Sequence, residues 1–178
     1  YKLLRRKMSR CKDAQELTGI MDQHVTPAAV IATMEELHGY FIDDLEIGMT
    51  DVYVRTVTET DIVQYSQISG DDNPLHVNEE FAKQTAFKGR IAHGMLTCGY
   101  ISSVLGTKLP GPGCAYLNQN LNFRAPVRIG DTVQTRVTVK EIIKHNNNVI
   151  CEAICSIGEK VVIDGTATLW VPNNRKKA

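Results

Sequence analysis

The sequence has no apolar run that approaches the ~18 residues needed to cross a bilayer, so no membrane span is expected. It has no excess of charge either, because 20 Lys and Arg residues balance 20 Asp and Glu residues. A neutral balance gives no reason to expect nucleic acid or an anionic membrane as a partner. The chain has 178 residues, 43% of them hydrophobic, which is typical of one globular domain with a full core.

The cysteines show no spacing that is typical of a metal site, and no metal or other cofactor is predicted. They are odd in number: Cys11, Cys98, Cys114, Cys151 and Cys155. We expect buried free thiols in a reducing compartment, the cytoplasm. The first twelve residues carry six bases and no acid, so a targeting peptide to the mitochondrial matrix is the alternative.

The first forty residues are predicted to form an extension to the main domain. Thr26 and Pro27 are a suitable helix start, and Gly39 is a suitable end. The predicted division is a basic and helical extension over residues 1–39, one domain over 40–172, and a polar tail over 173–178.

The rest of the chain indicates an α+β fold. "TDVYVRTV" alternates like a strand, and Thr58 with Asp61 predicts a capped helix over residues 59–69 that ends at Gly70. "HGMLTCGYISSVLGTKLP" predicts a long buried helix near residues 93–108. Four strands follow: "AYLNQNLNF", "TVQTRVTVKEII", "NVICEAICSI" and "KVVIDGTATLWV". We expect these four strands to form a meander in an antiparallel sheet that wraps the long helix.

The stretch "SGDDNPLH" places Asp71 and His76 on one proline-stiffened turn. Gly, Asp, Asn and Pro are common turn residues, so a solvated surface turn is the simplest interpretation of the stretch alone. A carboxylate and an imidazole on one rigid turn could also share a water molecule, one taking its proton and the other orienting it.

A second feature favours the catalytic interpretation. His93 and Gly94 open the long helix, and a helix amino terminus offers free amide donors and the positive end of a dipole. If Gly94 faces the Asp71 turn, the pocket has both a pair that activates water and an oxyanion site. Such parts suit the addition of water to a double bond conjugated with a carbonyl group.

The segment "SGDDNPLHVNEEFAKQTAFKGRIAHGML" resembles the signature of the MaoC-like, (R)-specific enoyl-CoA hydratases, which have the hot dog fold. The similarity continues through "FRAPVRIGDTV" to "IDGTATLWVP" and covers nearly the whole chain after residue 40. It implies a single hot dog domain in a homodimer, acting on a thioester of coenzyme A or of acyl carrier protein.

The resemblance also implies roles for individual residues. Asp71 matches the general base, and His76 matches its partner in handling the water. Gly94 matches the glycine whose backbone N–H polarises the thioester carbonyl. Ser102 matches a serine that lines the site, although an ideal helix places it ~12 Å from Gly94.

Several neighbouring residues are expected to have structural roles or weaker links to the substrate. We expect Asp72 to face solvent, Asn73 to tie the turn to the backbone, and His93 to form hydrogen bonds at the helix start. The basic residues near the site are candidates for contact with the phosphates of coenzyme A: Lys88, Arg90 and Arg124.

Three functions remain open at this stage. The first is a hydratase acting on trans-2-enoyl thioesters. The second is a thioesterase of the same fold, against which the intact "GDDNPLH" argues. The third is a non-catalytic acyl-CoA-binding module, which would be attractive if Asp71 or His76 were missing.

Overall fold

The computed structural model describes residues 37–173, and from Gly39 onward the described residues belong to one compact unit. The helix predicted to start at Thr26 lies outside the described residues, as does nearly all of the polar tail. The predicted domain boundaries therefore stay predictions.

The described residues contain four α-helices, which we number α1 to α4. They are α1 (Glu59–Ser69), α2 (Pro74–Val77), α3 (Glu79–Lys83) and α4 (Gly94–Thr107), and short 3-10 turns occur at Ile42–Asp44 and Lys144–Asn146. Within residues 37–173, none of these helices has the length and apolar character to cross a membrane.

The caps predicted for α1 are confirmed. The Thr58 hydroxyl accepts from the backbone N–H of Asp61 at 3.2 Å, and Asp61 accepts from the N–H of Thr58 at 2.8 Å. The helix ends where Gly70 takes a left-handed conformation with φ of 75°, which glycine adopts at little cost. The start of the 71–76 turn is thus fixed by local chemistry.

Five strands form one antiparallel sheet: β1 (Thr50–Thr56), β2 (Ala115–Phe123), β3 (Thr132–Ile143), β4 (Asn148–Ile157) and β5 (Lys160–Trp170). Their order across the sheet is β1-β3-β4-β5-β2. The prediction that all four strands form a meander is therefore wrong, because β2 is not the neighbour of β3. Only β3, β4 and β5 follow one another as neighbours, whereas β2 pairs with β5 at the far edge.

Gly165 permits the close pairing of β2 with β5. A Cβ atom at this position would lie 1.9 Å from the backbone oxygen of Asn120, far inside van der Waals contact. A backbone approach of this kind requires glycine.

The core lies between α4 and one face of the sheet. Alternate residues of β3 and β4 are buried, as the period of a strand requires, and Ile101, Val104 and Leu105 of α4 are fully buried. The long helix predicted near residues 93–108 is confirmed. The cysteines within the described residues are free, and Cys98, Cys151 and Cys155 are buried as predicted, with Cys114 half-buried.

Candidate functional site

The 71–76 turn connects α1 to α2 and is held by hydrogen bonds within itself. Asn73 caps α2, because its Oδ1 accepts from the backbone N–H of Leu75 at 3.0 Å, and Pro74 occupies the first turn. Oδ1 of Asp71 accepts from the N–H of Asn73 at 3.3 Å. The structural role expected for Asn73 is thus confirmed, and the turn offers the Asp71 carboxylate from a fixed backbone.

His76 is buried, at 8% exposure, and its ring is anchored on the opposite segment of the chain. Nδ1 lies 2.9 Å from the backbone oxygen of Ile91. Because a carbonyl oxygen can only accept, Nδ1 carries the hydrogen and donates it. Nε2 is then the nitrogen that can take up or release a proton in a reaction.

His93 holds the start of the turn, at Asp71. Its Nε2–H donates to the backbone oxygen of Asp71 at 2.9 Å, and its ring lies against that of His76 with 3.9 Å between centroids. The ring of Tyr65 packs against His93 at 4.8 Å. Burial, with the nearby His76 as a smaller cause, lowers the pKa of His93, so the ring stays neutral near pH 7. The hydrogen-bonding role expected for His93 is confirmed.

These contacts bring Asp71, His76 and His93 together. One carboxylate oxygen and one nitrogen from each imidazole lie within 4.8 Å of one another. Such a donor set is of the type that holds zinc. One nitrogen of each ring is bonded to a backbone carbonyl, and the two rings face each other. These bonds orient the second nitrogen of each ring, which can hold a water molecule or an ion.

A cavity of about 320 Å³ opens beside this cluster. Its walls include His76 from α2, Gly94 and Thr97 from the first turn of α4, Phe123 from the end of β2 and Ile163 from β5. The amino end of α4 thus faces the same space as the His76 imidazole. The cavity is therefore lined both by an imidazole that can exchange protons and by a helix terminus that can stabilise negative charge.

The structure places Asp71 close to His76, and His76 and Gly94 line the same cavity, whereas Asp71 is not among the lining residues. Ser102 is exposed and does not line this cavity, so its predicted role gains no support from the arrangement of the described residues. Asp72 is exposed, as expected. The roles of all four site residues stay predictions.

The basic residues divide into different environments. Arg90 is largely enclosed: its side chain is 15% exposed and bonded to Glu59 and to the backbone of His76, which argues against a contact with phosphate. Arg124 lines the cavity and pairs with Asp164, and its side chain is 55% exposed, so it stays within reach of a ligand. Lys88 is exposed and has a left-handed φ of 57°.

Sequence reasoning missed Tyr65, Thr97 and Phe123. Thr97 follows Gly94 by three residues and so shares its helix face, which is a signal that could have identified it. Its buried hydroxyl has no hydrogen-bond partner among the described residues. Phe123 gave no comparable signal, because its position over Gly94 depends on the placement of β2.

Comparison with known proteins agrees with this geometry. The profile of the MaoC-like domain matches residues 47–160. The chain is 46% identical over 143 residues to a 3-hydroxybutyryl-CoA dehydratase of Methylorubrum extorquens, covering 80% of this chain and 91% of that protein. It is 48% identical over 138 residues to an (R)-specific enoyl-CoA hydratase of Rhodospirillum rubrum, covering 78% and 96%.

Solved structures show the same fold. An unliganded R-hydratase of Pseudomonas aeruginosa superimposes with a TM-score of 0.72 at 36% identity, covering 76% of this chain and 88% of that one. The helix wrapped by an antiparallel sheet is therefore the hot dog fold predicted from the sequence. With a matching profile over most of its length and relatives above 45% identity, the chain belongs to the MaoC-like domain family.

Proposed function

We propose that this protein catalyses the reversible addition of water to trans-2-enoyl thioesters, which yields (3R)-hydroxyacyl thioesters. The observation that carries the proposal is the Asp71 carboxylate within 4.8 Å of the His76 imidazole, which lines a cavity together with the amino end of α4. The relatives named as an enoyl-CoA hydratase and a hydroxybutyryl-CoA dehydratase support the same reaction.

In the hydration direction, Asp71 removes a proton from the water as its oxygen attacks the β-carbon. His76 holds the same water through Nε2, since Nδ1 is occupied by Ile91. The electron pair of the double bond moves toward the carbonyl, and the Asp71–His76 pair returns the proton taken from water to the α-carbon, so that both groups end as they began. In the reverse direction the same two groups remove the 3-hydroxyl group as water.

The backbone N–H of Gly94 has a separate role. As the first residue of α4, its amide points out of the helix and has no partner four residues earlier within it. In the proposed reaction it donates to the thioester oxygen, where negative charge builds up as the enolate forms. Gly94 is close to Phe123, because an added Cβ would lie 2.7 Å from Cε1 of that ring.

The substrate is proposed to be a coenzyme A thioester, because two of the relatives are named for such substrates. Arg124 at the cavity wall is the basic residue that we propose for contact with the carrier. Its side chain remains 55% exposed although it is paired with Asp164.

The absorbance of the conjugated enoyl thioester tests the reaction. With crotonyl-CoA, we expect the band to disappear without release of free thiol. Release of thiol would indicate a thioesterase, in which water attacks the carbonyl carbon. An unchanged band together with measurable binding would indicate a non-catalytic acyl-CoA-binding module.

The stereochemistry has its own test. We expect the product to give no reduced cofactor with an (S)-specific hydroxyacyl dehydrogenase, because the (3R) epimer is not its substrate. Rapid reduction would contradict the assignment.

A homodimer is proposed on the basis of β2. This strand lies at the sheet edge, and large apolar side chains are exposed on it and on the adjacent β5: Tyr116, Leu117, Phe123 and Trp170. A bare strand edge with apolar side chains is a surface for strand pairing. Sedimentation at micromolar concentration should give the mass of two chains.

The reaction as proposed uses no metal or organic cofactor, and the cytoplasm is its proposed compartment. Dialysis against a chelator should leave the hydration rate unchanged. A loss of activity that zinc restores would assign a metal to Asp71, His76 and His93 instead.

A further inference from the structure

Arg90 is bonded to the backbone of the 71–76 turn, and each end of its guanidinium has a partner. Nε donates to the backbone oxygen of His76 at 2.5 Å. Nη2 and Nη1 donate to the two carboxylate oxygens of Glu59, at 2.8 and 3.1 Å. The planar fork therefore links the first residue of α1 to the backbone of the imidazole that the proposed reaction uses.

The link is geometrically demanding. A bidentate pair between a guanidinium and a carboxylate fixes the plane of both groups, which a single ammonium cannot do. Glu59 is itself held in the first turn of α1, where the helix dipole favours a negative charge. The pair with Glu59 therefore fixes the direction in which the Nε–H of Arg90 points, which is toward the backbone oxygen of His76.

Arg90 also begins a segment that contacts the turn repeatedly. In the 90–93 segment, Arg90 holds the backbone of His76, Ile91 accepts from the His76 ring, and His93 donates to the backbone of Asp71. The ring and the backbone of His76 are therefore fixed by consecutive residues. A shift of the His76 backbone would change the direction of its ring.

We propose that Arg90 is a positioning residue that keeps Nε2 of His76 directed at the reacting water. This inference rests on the proposed role of His76. Arg90 acts through the backbone of His76, and neither the substrate nor the coenzyme A phosphates contact it. Its pairing with Glu59 is part of the same device, because the carboxylate sets the plane of the guanidinium.

The test compares Arg90→Lys with Glu59→Gln and with the double variant. Lysine keeps the charge but cannot donate to His76 and to both oxygens of Glu59. Since a misplacement of about 1 Å can cost up to ~10²-fold, we expect kcat to fall about tenfold with KM within about twofold. Glu59→Gln should cost less, about threefold, and the double variant should be no worse than Arg90→Lys because the residues act as a unit.

Arg55→Lys is the matched control. Arg55 makes an ion pair with the buried Asp61 of α1 and does not line the cavity. This control should lower the melting temperature by an amount similar to Arg90→Lys while kcat per folded molecule stays at the wild-type value. If Arg90→Lys behaves like Arg55→Lys, Arg90 is only structural and the inference is wrong.

A truncated substrate separates positioning from phosphate binding. The crotonyl thioester of N-acetylcysteamine has no phosphates, so a positioning defect should lower kcat equally with this substrate and with crotonyl-CoA. A defect seen as a raised KM with crotonyl-CoA alone would assign Arg90 to the phosphates.

A spectroscopic measurement tests the role of Arg90 independently of hydratase activity. In ¹⁵N-histidine-labelled wild-type protein, the shifts of His76 should show the proton on Nδ1. Arg90→Lys should change those shifts and Arg55→Lys should not, even if the wild type hydrates no thioester. Identical His76 shifts in all three proteins would overturn the role of Arg90.

Discussion

The 71–76 turn and the β3-β4-β5 meander are held by different interactions. The turn is exposed along most of its length and is fixed by hydrogen bonds from side chains to backbone atoms, four of which involve Asn73, His76, Arg90 and His93. The meander is fixed by backbone pairing and by fully buried apolar side chains. We therefore expect substitutions in the turn to change the chemistry with little effect on folding, and substitutions in the meander to do the opposite.

The sharpest test of this contrast is Asp71→Asn. The amide nearly preserves size and hydrogen bonding but cannot accept the proton from water. A general base contributes ~10²–10⁴-fold, so kcat should fall at least about a hundredfold while the melting temperature stays close to wild type. His76→Ala should lower kcat by a comparable factor. The double variant should lose much less activity than the product of the two single losses, because both residues act on one water.

Asp72→Asn is the control for Asp71→Asn. Asp72 is adjacent and exposed, and the activity of Asp72→Asn should stay within a few-fold of wild type. Loss of activity in Asp72→Asn with retention in Asp71→Asn would mean that the roles within the turn are assigned wrongly.

The reciprocal test is Leu169→Ala in β5. Leu169 is fully buried, and such a truncation typically costs about 2–5 kcal/mol of unfolding free energy. Urea unfolding should show that loss, whereas kcat per folded molecule should remain near wild type. A large fall in kcat at low temperature, where the variant is folded, would break the separation between the two regions.

Gly94→Ala changes the start of α4, which belongs to neither region and packs against Phe123 of β2. The new Cβ would come within 2.7 Å of Cε1 of Phe123, so the ring at the end of β2 must move away from the start of α4. We expect the unfolding free energy to fall by about 1–3 kcal/mol through overpacking. We also expect kcat/KM to fall about tenfold, because a shift of the helix start displaces the Gly94 N–H from the thioester oxygen. Gly99→Ala, in the same helix with open space around its Cα, should leave activity unchanged and stability equal or higher.

The smallest expected effect is the pH dependence due to His93. Its folded-state pKa lies below 6.5, mainly because it is buried, so the unfolded chain binds its proton first as the pH falls. The stability contributed by neutral His93 is complete above about pH 6.5 and is lost as the pH falls through the lowered pKa. We expect the unfolding free energy, measured with urea between about pH 5 and pH 7.5, to depend less steeply on pH in His93→Asn than in wild type. Equal slopes would show that His93 does not titrate this way.

Local chemistry made most of the elements predictable. Thr58 with Asp61 marks the start of α1, Gly70 marks its end, and Asn73 with Pro74 starts α2. Each signal depends on neighbours within a few residues. The sequence placed His76 on the same turn as Asp71, and the family resemblance supplied the roles of these two residues and of Gly94.

Long-range pairing could not be predicted in the same way. The alternation in β2 identifies a strand but does not say that it pairs with β5 rather than with β3. Arg90 was a candidate phosphate ligand because nothing in its surroundings in the sequence points to Glu59, 31 residues earlier. The pairing of β2 with β5 and the pairing of Arg90 with Glu59 both join residues that are distant in the chain.

The displaced position of β2 has a consequence for how the substrate range could change. Because β3 is three strands away from β2, the connection over residues 124–131 must span roughly 14 Å, at about 4.8 Å per strand. Arg124, Ala125, Pro126 and Val127 of this connection form one wall of the cavity. Lengthening or shortening this one connection would change the size of the cavity while every strand kept its register. Evolution or a designer could thereby fit the cavity to a longer or branched acyl chain.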